Sequence, residues 1–208
     1  MNDNPHLARW NARFGAAEYV FGTEPNAFLA GERGRLKAGW TALVLADGEG
    51  RNGVWLARQR LDVTTVDFSP AGTAKAKKLA ARFGVKVARV LADLNHWDWP
   101  EDAFDLLVGV FIQVFGPSER AVAFERMKRA LKPGGLLLLQ GYRPEQVGYG
   151  TGGPPTPENM YTEEMLRAAF ADFRVERLEA HDSVIHEGKG HDGLSALIDL
   201  VAVRPGAG

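Results

Sequence analysis

The chain has 208 residues, 45% hydrophobic and 25% charged, which suits one globular domain with a real core and excludes a disordered chain. Its formal net charge of −1 gives no field to draw in nucleic acid or an anionic membrane, and no apolar run approaches the about 20 residues of a membrane span. With no cysteine present, disulfides, thiolate metal sites and cysteine nucleophiles are excluded.

The start, Met1–Pro5, has no apolar stretch resembling a signal peptide, so the cytoplasm is the expected location. Residues 1–40 read as a helical cap carrying Trp10, Phe14, Tyr19, Phe21 and Phe28. In it Thr23 is expected to cap a helix with Pro25 in its first turn, running to about Lys37 and ended by Gly39. From Thr41 strands and helices alternate. Apolar 41–46 reads as a strand buried on both faces, 51–60 as a helix and β-branched 63–66 as a second strand. Ser69 caps a helix with Pro70 at its first position, and Gly84 stops it. Strands follow at 85–91 and 104–111, then a helix over 117–131, the break Lys132–Gly135, and a fifth strand over 136–139. Thr162 caps a helix to Phe170; 173–178 and 194–203 read as a closing hairpin.

This alternation predicts an α/β three-layer sandwich with a doubly wound, mostly parallel seven-stranded sheet and an antiparallel C-terminal strand. We read one domain: a cap over 1–40, a nucleoside-binding core over 41–142, a lid-like Gly/Pro-rich loop over 143–161, and a final helix and hairpin over 162–208.

Three features carry chemistry. The first strand runs into Gly48-Glu-Gly-Arg-Asn-Gly53, a turn that lets backbone approach a ligand, and Asp67 ends the second strand about 20 residues on, where a carboxylate accepts from ribose hydroxyls. Asp93 and Leu94 end the third strand, placed to read a base edge. Leu131–Gly135 leads into the fifth strand. Together these residues resemble the class I S-adenosylmethionine-dependent methyltransferases, by motif over about 41–140. Gly48–Asn52, with Trp10–Arg13, Tyr19–Gly22 and Pro25–Leu29, is similar to the tellurite-resistance branch and its bacterial relatives. Two positions depart from that family. Its acid two residues before the first glycine is replaced by Ala46, with Asp47 adjacent and expected on the other strand face. Asn52 takes the third glycine's place.

The resemblance implies S-adenosylmethionine held by Gly48, Glu49, Gly50, Arg51, Asn52, Asp67, Phe68, Asp93, Leu94 and Phe111. It implies in-line transfer of an activated methyl group to a small-molecule acceptor, a thiol or a selenium or tellurium species, by a monomer or homodimer that binds neither nucleic acid nor membrane. Tyr19, Gln113, Tyr142, Arg143 and Tyr149 are candidate acceptor-pocket residues, and Gln113, His186 and His191 candidate catalytic groups. His181, His186 and His191 recur every five residues, which alternates faces in a strand, so no metal site is expected. Two alternatives remain. One is a nicotinamide-dependent oxidoreductase, although no Tyr-x-x-x-Lys pair is present. The other is a non-catalytic module that binds S-adenosylmethionine.

Overall fold

A computed structural model describes residues 5–206; Met1–Asn4, part of the start read above for a leader, lie outside the described residues. Its seven strands form one sheet in the order β3-β2-β1-β4-β5-β7-β6, made of β1 (Thr41–Leu45), β2 (Asp62–Asp67), β3 (Ala88–Leu91), β4 (Phe104–Val110), β5 (Leu131–Tyr142), β6 (Arg174–His186) and β7 (Asp192–Val203). The helices are α1 (Pro5–Phe14), α2 (Ala27–Gly31), α3 (Arg51–Arg58), α4 (Pro70–Arg82), α5 (Pro117–Ala130), α6 (Gln146–Tyr149) and α7 (Glu163–Ala169). Among the described residues, no helix is long and apolar enough to cross a membrane. Contacts divide the chain into two compact units, Met1–Trp97 with Glu187–Gly190, and Asp98–His186 with His191–Gly208.

In the first unit β1 pairs in parallel with β2, Thr41 opposite Asp62, and β2 with β3, Asp67 opposite Leu91. Ala42–Leu45 are buried, as a continuous apolar run in a parallel strand requires. Ser69 caps α4 as expected, its hydroxyl accepting from Gly72 N–H at 3.1 Å, with Pro70 at the first helical position. The cap expected at Thr23 stands instead at Asn26, whose Oδ1 accepts from Leu29 N–H at 3.0 Å. The helix is short and passes into a 3-10 turn over Glu32–Arg35.

In the second unit β4 and β5 run parallel, with a register shift between Phe104 and Leu106 as β5 continues through Lys132–Gly135. The expected break is therefore a bulged strand start. Gly134, at φ 80°, makes the bend without strain. β7 lies antiparallel between β5 and β6, Tyr142 opposite Leu197 and His186 opposite Asp192. The hairpin is longer than its apolar pattern predicts, because β6 is an edge strand with many exposed polar residues. Thr162 caps α7, as expected, through Met165 N–H at 3.2 Å.

Candidate active site

β1 ends at Leu45 and the chain bends at once. Ala46, Gly48 and Gly50 all have left-handed backbone, with φ of 47°, 54° and 91°. The bend so begins at Ala46, two residues before the first glycine. Asp47 lies past the strand, so the strand alternation expected for it does not apply. Its carboxylate folds onto Gly53 N–H at 3.2 Å, and burial pushes its pKa up to about 7. Gly50 and Gly53 serve close packing: a Cβ at Gly50 would stand 2.6 Å from Ala76 Cβ, and one at Gly53 2.5 Å from Thr65 Cγ2.

The bend delivers Gly48 N–H to Asp67 Oδ2 at 2.8 Å, while Ser69 N–H donates to Oδ1 at 2.8 Å. The turn after β1 and the acid at the tip of β2 thus meet at one sheet edge. Burial raises the Asp67 pKa, and these two N–H groups oppose the rise. A carboxylate has about four lone-pair sites, so two bonds leave acceptor capacity that fits a ribose diol. Asp67 C=O accepts from Ala92 N–H at 3.0 Å, which brings the end of β3 alongside. Asp93 follows, partly exposed and accepting from Asn95 N–H at 2.9 Å; Leu94 is buried and Phe68 half-buried. These four residues lie together at or past the ends of β2 and β3.

The side chains of Glu49, Arg51 and Asn52 are committed elsewhere, and this differs from their reading as cofactor contacts. Glu49 is buried; it accepts from Val20 N–H at 2.8 Å and pairs with Lys75 at 2.7 Å. Arg51 forms a buried ion pair with Glu187 at 2.7 Å. Asn52 Oδ1 accepts from Asn26 N–H at 2.9 Å, and Glu187 also accepts from Asn26 Nδ2 and Ala27 N–H. The turn therefore holds the 18–27 segment, and the hairpin tip, 187–190, locks it from outside: Lys189 pairs with Glu18 and Gly190 N–H donates to Val20 C=O. Tyr19, read as an acceptor contact, donates its hydroxyl to Lys75 C=O at 3.2 Å.

In the second unit, Phe111 follows β4 with φ 55°, a strained conformation for an aromatic residue. Its ring stacks on Tyr142 and His191, with centroids 4.6 and 4.2 Å away. Both neighbours are buried, and the Tyr142 hydroxyl lies 2.5 Å from His191 Nδ1. Gln113 positions the tyrosine: its Nε2 donates to Tyr142 C=O and its Oε1 accepts from Tyr142 N–H, both at 2.7 Å. Gln113 is therefore placed to orient Tyr142. Arg143 is ion-paired with Asp182, which also accepts from Tyr149 at 2.7 Å, so neither side chain is held toward a ligand. His186 is exposed and bonds to Asp192 at 2.6 Å. The start of the lid-like loop is anchored: buried Gln146 accepts from Ala196 N–H at 2.8 Å and donates to Thr151. Among the described residues no group of three His, Asp or Glu residues is arranged to hold a metal ion. The Asn26–Glu187 clasp and the Tyr142–His191 pair join residues far apart in sequence, and no local pattern marks either.

A methyltransferase-domain family matches residues 42–135. Carboxy-S-adenosyl-L-methionine synthase of Geobacter metallireducens is 33% identical over 104 residues, 46% of this chain and 41% of that protein. The chain thus spans about two fifths of that relative's length. Among solved structures, TehB from Haemophilus influenzae superposes with a TM-score of 0.71 at 15% identity, over 95% of this chain and 66% of that one. The N-methyltransferase NodS from Bradyrhizobium japonicum, in complex with S-adenosyl-L-homocysteine, gives 0.70 at 14%, over 96% and 98%.

Proposed function

We propose that this chain, whose residues 42–135 match a methyltransferase-domain family, is a class I S-adenosylmethionine-dependent methyltransferase that methylates a small molecule at a soft protic atom, a thiol first. The observation that carries the reading is the Gly48 N–H bond to the Asp67 carboxylate, which makes the turn and the acid one preformed element. When bound, the cofactor supplies a methyl group on a sulfonium, already a good leaving group. Asp67 accepts from the ribose, Phe68 lies against the adenine, and Asp93 with Leu94 reads the base edge. The backbone of 46–50 borders the cofactor while the side chains of Glu49, Arg51 and Asn52 hold the 18–27 segment and its clasp.

The protein's remaining task is to align the acceptor and take its proton. A thiol must lose its proton as the new bond forms, and the Tyr142–His191 pair is built for that. The phenol oxygen accepts the acceptor's proton while its own passes to His191 Nδ1. Phe111 stacks on both rings, and Gln113 holds the Tyr142 backbone. A tellurium or selenium oxyanion, or a selenol already ionised at neutral pH, needs no such proton acceptor, which is why thiols come first.

Calorimetry with S-adenosylhomocysteine and with NAD tests the cofactor assignment. We expect S-adenosylhomocysteine alone to bind, and Asp67→Ala to weaken it by about 1.5–3 kcal/mol, the scale of a hydrogen bond to a charged group. Binding of NAD alone would favour an oxidoreductase. A labelled-methyl screen across thiols, selenite, phenols and amines tests transfer. Failure with every pool of cell metabolites would leave a binding module.

A further inference from the structure

We propose that Arg120 and Tyr161 form a subsite for a carboxylate carried by the methyl acceptor, an inference that rests on the methyltransferase reading and adds a substrate class to it. Arg120 lies in the first turns of α5, the helix after β4, and is only 8% exposed. Among the described residues its guanidinium makes one hydrogen bond, from Nη1 to the backbone carbonyl of Glu158 at 2.7 Å. Among the described residues no carboxylate pairs with it. The nearby Glu119 carboxylate accepts from Gly116 N–H at 3.0 Å. Tyr161 is 1% exposed, and its hydroxyl has no hydrogen-bond partner among the described residues. Its N–H donates to Tyr142 C=O at 3.0 Å, so the ring lies beside the last residue of β5, against Gly141 and edge-on to Phe124. The two residues thus follow the C-terminal ends of β4 and β5, the sheet edge at which open α/β folds bind ligands.

Neither polar group is explained by the fold. A phenylalanine would fill the Tyr161 site without burying an orphan hydroxyl, and an apolar side chain at 120 would avoid burying a charge. The single bond to the Glu158 carbonyl uses one of the five guanidinium N–H donors. Burial lowers the pKa of Arg120 and raises that of Tyr161, and the single electrostatic influence opposing each shift is the other residue. A bound anion resolves both costs at once. The guanidinium offers a planar fork and the phenol a further donor. One positive charge balances a monoanion, which favours a carboxylate over a doubly charged phosphate.

The test is the melting temperature with benzoate, and with its neutral counterpart benzamide, for wild type, Arg120→Gln, Arg120→Lys and Tyr161→Phe. Each is measured with and without S-adenosylhomocysteine. Benzoate should raise the wild-type value saturably and benzamide should not. Arg120→Gln should abolish the response, Arg120→Lys should retain part of it, and Tyr161→Phe should shift the midpoint several-fold upward. Without benzoate, Tyr161→Phe should melt at or above wild type. Equal responses to benzoate and benzamide, an unchanged response in Arg120→Gln, or a clear loss of stability in Tyr161→Phe would each overturn the subsite. S-adenosylhomocysteine that stabilises none of these proteins would refute the cofactor reading instead, while the benzoate comparison still decides the anion site. In turnover, thiosalicylate should exceed thiophenol at least tenfold in kcat/KM, and the ratio should collapse in Arg120→Gln.

Discussion

Tyr142 and His191 share a 2.5 Å contact in a buried setting, and Phe111 accepts backbone strain to stack on both rings. Strain of this kind, about 1–3 kcal/mol, persists where the surroundings over-determine it, and it clusters at functional sites. A tyrosine–histidine pair of this type matters only while the acceptor still holds its proton. We therefore expect Tyr142→Phe and His191→Asn each to slow methylation of an alkyl thiol by about 10²-fold, the scale of general-base catalysis. The double variant should lose little more, because the two groups act as a unit. An aryl thiol, already ionised at neutral pH, should be affected far less. Steady-state rates with the two thiol classes, alongside S-adenosylhomocysteine affinity by calorimetry, separate this role from a packing defect. Equal losses for both thiols would show that the pair shapes the pocket and moves no proton.

At the scale of elements, the tip of the β6–β7 hairpin clasps the 18–27 segment through Glu187. That carboxylate meets Arg51, Asn26 Nδ2 and Ala27 N–H, and its ion pair with Arg51 is buried on both sides. Removing one partner of a buried pair leaves the other charge uncompensated and typically costs about 3–5 kcal/mol. Glu187→Ala is accordingly expected to lower stability to urea on that scale and to expose the 18–27 segment to protease first; an unchanged urea midpoint would show that the clasp carries no load. This clasp also marks where sequence reading stops. Ser69-Pro70 and Thr162 were legible as caps because their partners lie three residues on. The strand-to-turn-to-acid arrangement was legible because buried parallel strands are continuous apolar runs. Asn26 displaced Thr23 as a cap because its side chain and backbone are fixed by Glu187 and Asn52, which no local pattern reveals. Glu49, Arg51 and Asn52 read as ligand contacts for the same reason: a polar turn looks alike whether it faces a cofactor or another stretch of chain. The length of β6 was hidden by the polar residues that keep an edge strand from pairing with another chain.

For the whole molecule, a net charge near zero hides an uneven distribution of acids. Asp47, Asp67 and Asp199 all sit where burial raises their pKa, Asp47 to about 7. An acid whose folded pKa exceeds its unfolded value of 3.8 binds more protons in the fold than in the open chain across that interval. Its favourable contribution is therefore present at low pH and is lost as pH rises from about 4 to about 7. For Asp47 the full loss is at most about 4–5 kcal/mol, at about 1.4 kcal/mol per pKa unit. Part of that loss comes from Asp67, whose negative charge disfavours ionisation of Asp47. The melting temperature of the wild type should accordingly fall between pH 5 and pH 8. Asparagine at 47 keeps an oxygen for Gly53 N–H but carries no charge at any pH. Asp47→Asn should then flatten the profile and melt above wild type at pH 8, while the two converge at about pH 4 and below. Asp67 and Asp199 would leave a residual downward slope in the variant. Melting curves that run parallel for the two proteins across this range would mean that Asp47 ionises as an ordinary surface carboxylate, and that the bend after β1 is open to water.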